Sequence, residues 1–274
     1  MKTSRLLPVA ALALGFCLAH PAAAETRVPG DPHAEDPVGI VTDPCPVHPA
    51  PADAAGWQLW NLHMLTRDFG QLCRYAEANR ALAGQKVQVV FMGDSITDNW
   101  INADPQFFTG GIVDRGISGQ TTAQMLVRFR QDVVDLKPET VHIMAGTNDI
   151  AGNTGAATID TVMGNIQSMA ELARAHGIKV IIASVPPAAA FPWSPGKLPA
   201  PQVDEMNRRL SAYARINHFG YVDYHRAMAQ PDGAMKPGLA SDGVHPTPEG
   251  YAVMRPLALA AIAAAITGTS GAPK

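Results

Sequence analysis

The chain has 274 residues, 47% of them hydrophobic, enough for one good-sized domain with an ample core. Its formal net charge is −3. That slight acidity, with no basic stripe, excludes a surface built to hold nucleic acid or an anionic membrane.

Lys2 and Arg5 open the chain, an apolar segment covers 6–19, and Pro21-Ala22-Ala23-Ala24 precedes Glu25. This three-part pattern reads as a secretory signal peptide over 1–24, cleaved after Ala24. Its apolar part is too short to span a bilayer, and no later stretch reaches the roughly 18 apolar residues a spanning helix needs, so no integral membrane segment is expected. Cys17 invites a lipoprotein reading, against which stands the bulky Phe16 before it. Cleavage leaves 250 residues with 19 basic against 24 acidic side chains, a mature protein expected in the periplasm or secreted. Two cysteines remain, Cys45 and Cys73, an even count that an oxidising compartment can pair, tying an N-terminal arm to the helix after it. A metal site on Cys45, His48 and Cys73 would lack a fourth ligand at sensible spacing.

Residues 25–52 hold seven prolines between Pro29 and Pro51 and read as an extended arm without regular structure. From Asp53, a plausible cap, Trp57, Trp60, Met64, Phe69, Leu72 and Tyr75 recur at helical spacings, predicting one amphipathic helix over 53–84 whose aromatic stripe packs on the core. Short apolar runs then alternate with helical patterns. Strands are predicted at 87–92, 112–115, 140–144, 178–185 and 221–224, and helices at 121–136, 158–176, 202–217 and 248–266. In the first of these helices Met125, Phe129, Val133 and Leu136 form an apolar face, with the polar residues between them turned outward. The tail, 267–274, is small and polar and reads as disordered. Five strands separated by helices argue for a parallel sheet covered on both faces, because a parallel crossover needs a helix-length connection. The expected fold is a three-layer α/β/α, flavodoxin-like, doubly wound five-stranded sheet over 53–266.

In such a sheet ligands bind beyond the carboxyl ends of the strands, and candidate polar groups fall there in turn. Ser95 follows the first strand, Ser118 and Gly119 the second, Asn148 and Asp149 the third, and the segment with Asp242 and His245 comes after the fifth. Ser95 lies in Gly93-Asp94-Ser95-Ile96-Thr97, where a strand meets a helix. There a hydroxyl is exposed and free backbone N–H groups can receive negative charge. The same residues also serve any strand-to-helix turn. A serine nucleophile needs a base to take its proton. Of nine histidines, His245 stands out because Asp242-Gly243-Val244-His245 places a carboxylate three residues before the imidazole, able to fix its tautomer. His225, close after the fifth strand, competes, and the His245 turn is equally a helix entry capped by Thr247 with Pro248 at the first position. Gly119 through its N–H and Asn148 through its amide are the candidate oxyanion donors, each also readable as an ordinary turn residue. Ser118, in Gly116-Ile117-Ser118-Gly119, is a rival nucleophile, but Gln120 breaks the Gly-x-Ser-x-Gly spacing.

Four blocks in this order resemble the SGNH hydrolases, or GDSL esterases, over about 87–266. They are Gly93-Asp94-Ser95-Ile96-Thr97, Arg115-Gly116-Ile117-Ser118-Gly119-Gln120-Thr121-Thr122, Gly146-Thr147-Asn148-Asp149 and Asp242-Gly243-Val244-His245-Pro246. Ile96 stands where the family name has leucine. The second block and Thr247-Pro248-Glu249-Gly250-Tyr251 look most like the platelet-activating-factor acetylhydrolase branch and bacterial carbohydrate acetylesterases. The resemblance implies a catalytic triad of Ser95, Asp242 and His245 and an oxyanion hole from the Ser95 N–H, the Gly119 N–H and Asn148, with no metal or organic cofactor. Compact loops without an inserted cap domain predict a shallow, open site for short-chain, chiefly acetyl, esters of carbohydrates, and the resemblance leans the same way, with a small-molecule or polysaccharide ester as substrate and a lysophospholipase or broad arylesterase as alternative. A phosphate-binding module is disfavoured because the first turn lacks repeated glycines.

Overall fold

A computed structural model describes residues 33, 36–46, 48 and 52–268. The expected signal peptide lies outside the described residues, as does the tail beyond 268. The chain divides between residues 49 and 50 into two compact units.

In the first unit the described residues form only turns and bends, as proline-dense sequence dictates. Asp36 accepts from both His33 Nδ1 (2.9 Å) and His48 Nε2 (2.7 Å). Burial raises its carboxyl, but these two imidazoles outweigh it and hold the group below its usual range. Cys45 is disulfide-bonded.

The second unit is built on five parallel strands, β1 (Val89–Gly93), β2 (Ile112–Gly116), β3 (Thr140–Met144), β4 (Lys179–Ala183) and β5 (Gly220–Val222), in the order β2-β1-β3-β4-β5. Gly93 is in register with Gly116 on one side and Met144 on the other, so β1, β2 and β3 end level. The order reverses direction around β1, which makes the carboxyl end of β1 and β3 the switch point where doubly wound sheets bind ligands. Both faces are covered, as the near-continuous apolar strands require. One layer of core gathers Val90, Met92, Phe129, Ile143, Ile166 and Met206, the other Phe91, Trp100, Ile181, Tyr224, Tyr251 and Met254.

The helices in chain order are α1 (Ala54–Thr66), α2 (Ala76–Ala81), α3 (Ser95–Asp98), α4 (Trp100–Ala103), α5 (Thr122–Asp132), α6 (Thr147–Ala151), α7 (Ile159–Ala175), α8 (Ala200–Ile216), α9 (Tyr224–Met228) and α10 (Pro248–Thr267). Four of them, α3, α4, α6 and α9, are too short for periodicity to detect; of these the sequence points only to α3, as the helix that begins at Ser95. A 3₁₀ turn, Val134–Leu136, ends what was read as one helix over 121–136.

The single helix expected over 53–84 is instead two, α1 and α2. Asp53 does cap α1, accepting from the Gly56 N–H at 2.8 Å. The break has a tertiary cause. The carbonyls of Phe69, Gly70 and Leu72 accept from the side chains of Gln124, Gln120 and Gln131, which replaces the helical ladder across this segment. A Cβ on Gly70 would stand 2.7 Å from Val127 Cγ1, so the chain is also held close to α5. The apolar stripe is not one core face: Met64 and Tyr75 are buried, whereas Leu62, Leu65 and Leu72 are exposed. Cys73, in this segment, is disulfide-bonded.

At the other end, the helix runs on through Thr267, whose hydroxyl donates to Ala263, and Gly268 ends it in the left-handed conformation. Thr267 was expected in the disordered tail. By length and composition alone α10 also passes for a membrane span, because alanines keep it apolar despite Glu249 and Arg255. Counting uninterrupted apolar residues had excluded such a helix. Tyr251, Met254, Ala258 and Ile262 of α10 are buried in the core.

Candidate active site

Residues from four loops meet at the carboxyl edge of the sheet. Ser95 is the first residue of α3, directly after β1 and the Asp94 cap, whose carboxylate accepts from the Ile96 N–H at 3.0 Å. Asp94 is 2% exposed, and burial pushes its carboxyl up to about 6 against the pull of that N–H. The turn is tight: a Cβ on Gly116, in β2 beside it, would lie 2.1 Å from the Asp98 nitrogen, so only glycine lets α3 pack there.

Ser95 Oγ lies 3.0 Å from His245 Nε2. His245 Nδ1 lies 2.8 Å from Asp242 Oδ2, while Asp242 Oδ1 accepts the backbone N–H groups of Val244 (3.0 Å) and His245 (2.8 Å). Burial raises the Asp242 carboxyl, but the His245 backbone and ring and the Val244 N–H together hold it below the usual carboxylate range. The group therefore stays ionised, accepts from Nδ1–H and leaves Nε2 as the acceptor facing the serine. Thr247 caps α10 through the Gly250 N–H, so the helix entry and the Asp242–His245 turn are the same structure, as both readings of the segment required.

Gly119 is exposed in the loop after β2, at φ +80°. Its N–H and that of Ser95 have no hydrogen-bond acceptor among the described residues. Asn148, in the first turn of α6, is buried and donates one Nδ2 hydrogen to the Gln120 carbonyl at 3.0 Å, leaving the other available. These are the elements of an acyl-transfer site: a serine hydroxyl bonded to an oriented imidazole, with free N–H donors beside it.

The rival Ser118 is engaged elsewhere, and it is His245, not the rival His225, that bonds Ser95. The Ser118 hydroxyl donates to Asp98 Oδ2 at 2.7 Å, and its N–H donates to the same oxygen at 3.0 Å. His225 Nε2 faces Asp204 at 3.6 Å. His142 is fully buried in β3, with Nε2 3.0 Å from the Tyr224 hydroxyl, and burial holds its imidazole down at about 3.

Beneath the site is a buried polar scaffold that the sequence reading missed. The expectation that polar residues of α5 face outward is wrong for Gln124, Arg128 and Asp132, all buried. Arg128 donates to Gln120 Oε1 (2.6 Å), the carbonyls of Arg115 (2.9 Å) and Gly93 (3.0 Å), and Asp132 Oδ2 (3.1 Å). It thus clamps the end of β1 to the loop carrying Gly119. The available signal was the spacing of four between Gln124, Arg128 and Asp132, which puts them on one stripe beside Met125 and Phe129. Asp149 is likewise structural, accepting the N–H and hydroxyl of Thr122 at the start of α5. Burial raises its carboxyl although both bonds pull the other way.

Residues 91–253 match the profile of the GDSL-like lipase/acylhydrolase family. Among solved structures, a GDSL-like lipase from Bacteroides thetaiotaomicron is 50% identical over 71% of this chain and 98% of its own, with a TM-score of 0.69. A protein from Bacteroides fragilis is 49% identical over 72% of this chain and 98% of its own, also with a TM-score of 0.69. An acetylxylan esterase from Geobacillus stearothermophilus shares the fold at 20% identity, with a TM-score of 0.53 over 64% of this chain and 94% of its own. The lipoprotein YqeF of Bacillus subtilis is 40% identical over 74 residues, 26% of this chain and 30% of that protein's length.

Proposed function

The chain belongs to the GDSL-like lipase/acylhydrolase family and is a carboxylic ester hydrolase, and from that premise we propose that it works through an acyl-Ser95 intermediate on short-chain, chiefly acetyl, esters of carbohydrates. One observation carries the mechanism: the unbroken chain from Ser95 Oγ through His245 to Asp242, with contacts of 3.0 and 2.8 Å. As Ser95 Oγ attacks the ester carbonyl carbon, its proton passes to His245 Nε2. The oxyanion that forms is received by the N–H groups of Ser95 and Gly119 and by Asn148 Nδ2, each contributing about 3 kcal/mol to the transition state. Collapse breaks the bond to the alcohol oxygen, which takes the proton from Nε2 and departs. Water then attacks the acyl-enzyme, giving one proton to Nε2, and the second collapse releases the acid and returns that proton to Ser95 Oγ. Asp242 stabilises the transient imidazolium without itself becoming protonated.

The substrate class rests on the openness of the site. Gly119 and Ser118 are exposed, and the indole of Trp193, 39% exposed, stands 5.5 Å from the His245 ring. An exposed aromatic face beside the imidazole suits a sugar ring attached to a small acyl group better than a long acyl chain, which needs a deep apolar pocket. We extend the proposal to location. The three-part N-terminus, the two disulfide-bonded cysteines and the lipoprotein relative all favour an exported protein. We read α10 as a core helix of a soluble domain, because Tyr251 donates to the Ile96 carbonyl of α3 at 2.8 Å.

A fluorophosphonate probe followed by peptide mapping tests the nucleophile: the adduct is expected on Ser95, and labelling elsewhere or not at all overturns the assignment. A series of p-nitrophenyl esters from acetate to decanoate, run beside acetylated xylan, tests the substrate. Acetate is expected to be turned over fastest with acetate released from the glycan. A maximum at long chains would instead make the protein a lysophospholipase-like or broad esterase.

A further inference from the structure

The amide of Asn153, which no family block contains, sits where it controls two of the three oxyanion donors. Its Nδ2 donates to Asn148 Oδ1 at 2.9 Å and to the Gly119 carbonyl at 3.0 Å. Its Oδ1 accepts from Trp193 Nε1 at 3.1 Å. Trp193 comes from the loop between β4 and α8, anchored by the buried Phe191 ring 5.1 Å away, and its own ring stands beside His245.

Each contact in this series removes one ambiguity. An indole N–H only donates, so the atom facing it on Asn153 has to be the amide oxygen. That turns both Nδ2 hydrogens of Asn153 toward Asn148 and Gly119. Asn148 must then present Oδ1 to Asn153, which leaves its Nδ2 to bond the Gln120 carbonyl with one hydrogen and to face the reacting carbonyl with the other. The Gln120 carbonyl, which only accepts, favours the same orientation, so Asn153 is the second of two partners that hold it; turned over, the Asn148 amide would aim a lone pair at the developing oxyanion.

Resting on the acyl-Ser95 reading, we infer that Asn153 is a positioning residue that holds the orientation of the Asn148 amide and the Gly119 peptide, and that Trp193 locks Asn153, coupling the aromatic wall beside His245 to the oxyanion hole. The order of dependence is Trp193, then Asn153, then Asn148 and Gly119.

Asn153→Asp is the sharpest test, because it keeps the shape and removes every N–H. The new carboxylate faces Asn148 Oδ1 and the Gly119 carbonyl with oxygen, so the Asn148 amide is drawn out of its bond to Gln120 toward the carboxylate and the Gly119 peptide loses its donor. The expected result is a fall in kcat of about 10- to 100-fold with KM within about threefold of the parent, since the lost interaction exists only in the transition state. Trp193→Phe keeps the ring and loses only the N–H. It is expected to lower kcat by about 3- to 10-fold in the parent and to have no further effect in the Asn153→Asp background, because both changes act through one amide. Independent, multiplicative effects of the two substitutions, or an unchanged kcat in Asn153→Asp, overturn the inference. If Asn153→Asp fails to fold by circular dichroism, Trp193→Phe at its half-exposed position decides alone: an unchanged kcat, or a loss confined to KM, overturns it. Ser95→Ala run in parallel separates the two layers. An active Ser95→Ala enzyme defeats the nucleophile assignment, whereas an inactive one beside a fully active Asn153→Asp defeats only the positioning role of Asn153.

Discussion

The two halves of the site are built in different ways. The proposed acid–base half, Asp242 and His245, is one four-residue turn held by hydrogen bonds within itself, and its imidazole is partly open to solvent, with 27% of its side-chain surface accessible. The proposed oxyanion half is spread over the loop after β2, the first turns of α3 and α6, and the side chains of Asn153, Trp193 and Arg128. It stands on a guanidinium with no solvent exposure. A local turn can be placed by its own backbone hydrogen bonds, whereas donors on separate segments need a buried scaffold to hold them in register. The first half therefore responds to substitution chiefly in chemistry, the second in chemistry and stability together.

The largest effect is expected at the atom both halves share. Ser95→Ala should cost on the order of a thousandfold or more in kcat while the thermal transition stays within a few degrees of the parent, as measured by steady-state assay and differential scanning calorimetry. On the acid–base side, Asp242→Asn should lower kcat by about a hundredfold or more, because the neutral amide no longer favours the Nδ1–H tautomer or the imidazolium. Stability should change little there, since the pair is partly solvated. A large drop in Tm without loss of activity would erase the distinction drawn between the halves.

Arg128→Met should show the opposite balance. It leaves Asp132 buried without its cation and frees the Gly93, Arg115 and Gln120 oxygens, a loss of about 3–5 kcal/mol that urea unfolding would read directly. Arg128→Met combined with Asp132→Leu should recover part of that loss, and failure to recover any would show that the carbonyl contacts, not the ion pair, dominate.

A smaller effect concerns pH. Burial depresses the His142 imidazole to about 3, so between its ordinary value near 6.5 and that point the unfolded chain takes up a proton the folded one refuses. Its contribution is complete above about pH 6.5 and is lost as pH falls toward 3, at up to about 1.4 kcal/mol per pH unit. Asp94 and Asp114, raised by burial to about 6 and 7, act in the opposite sense over an overlapping range, so the comparison has to be variant against parent at each pH. His142→Gln is expected to flatten the acid limb of the stability curve between pH 6 and 4, and an unchanged slope would refute the assignment.

Where the pattern was legible, the reason is periodicity or proximity. The sheet was readable because buried parallel strands are short apolar runs, and β3 coincides with its expected span of 140–144. The Asp242–His245 pair was readable because its partners are three residues apart. The division of 53–84 into two helices was not, since the glutamines that capture its carbonyls come from residues 120–131, whose distance in sequence says nothing of their nearness in space. Arg128 was taken for a solvent-facing residue by the same logic: charge at a helical position signals exposure unless partners from other elements neutralise it.

The sequence by itself determined the sheet, its covering helices, the strand-end placement of Ser95, Gly119 and Asn148, and the carboxylate–imidazole turn, because each depends on residues close together along the chain. Only the tertiary structure decided that Ser95 Oγ reaches His245 across 150 residues, that Ser118 is bound to Asp98, and that Asn153 bonds the Gly119 carbonyl and Arg128 the Arg115 carbonyl. Those are hydrogen bonds between distant segments, and their partners are chosen by packing rather than by any local preference of the chain.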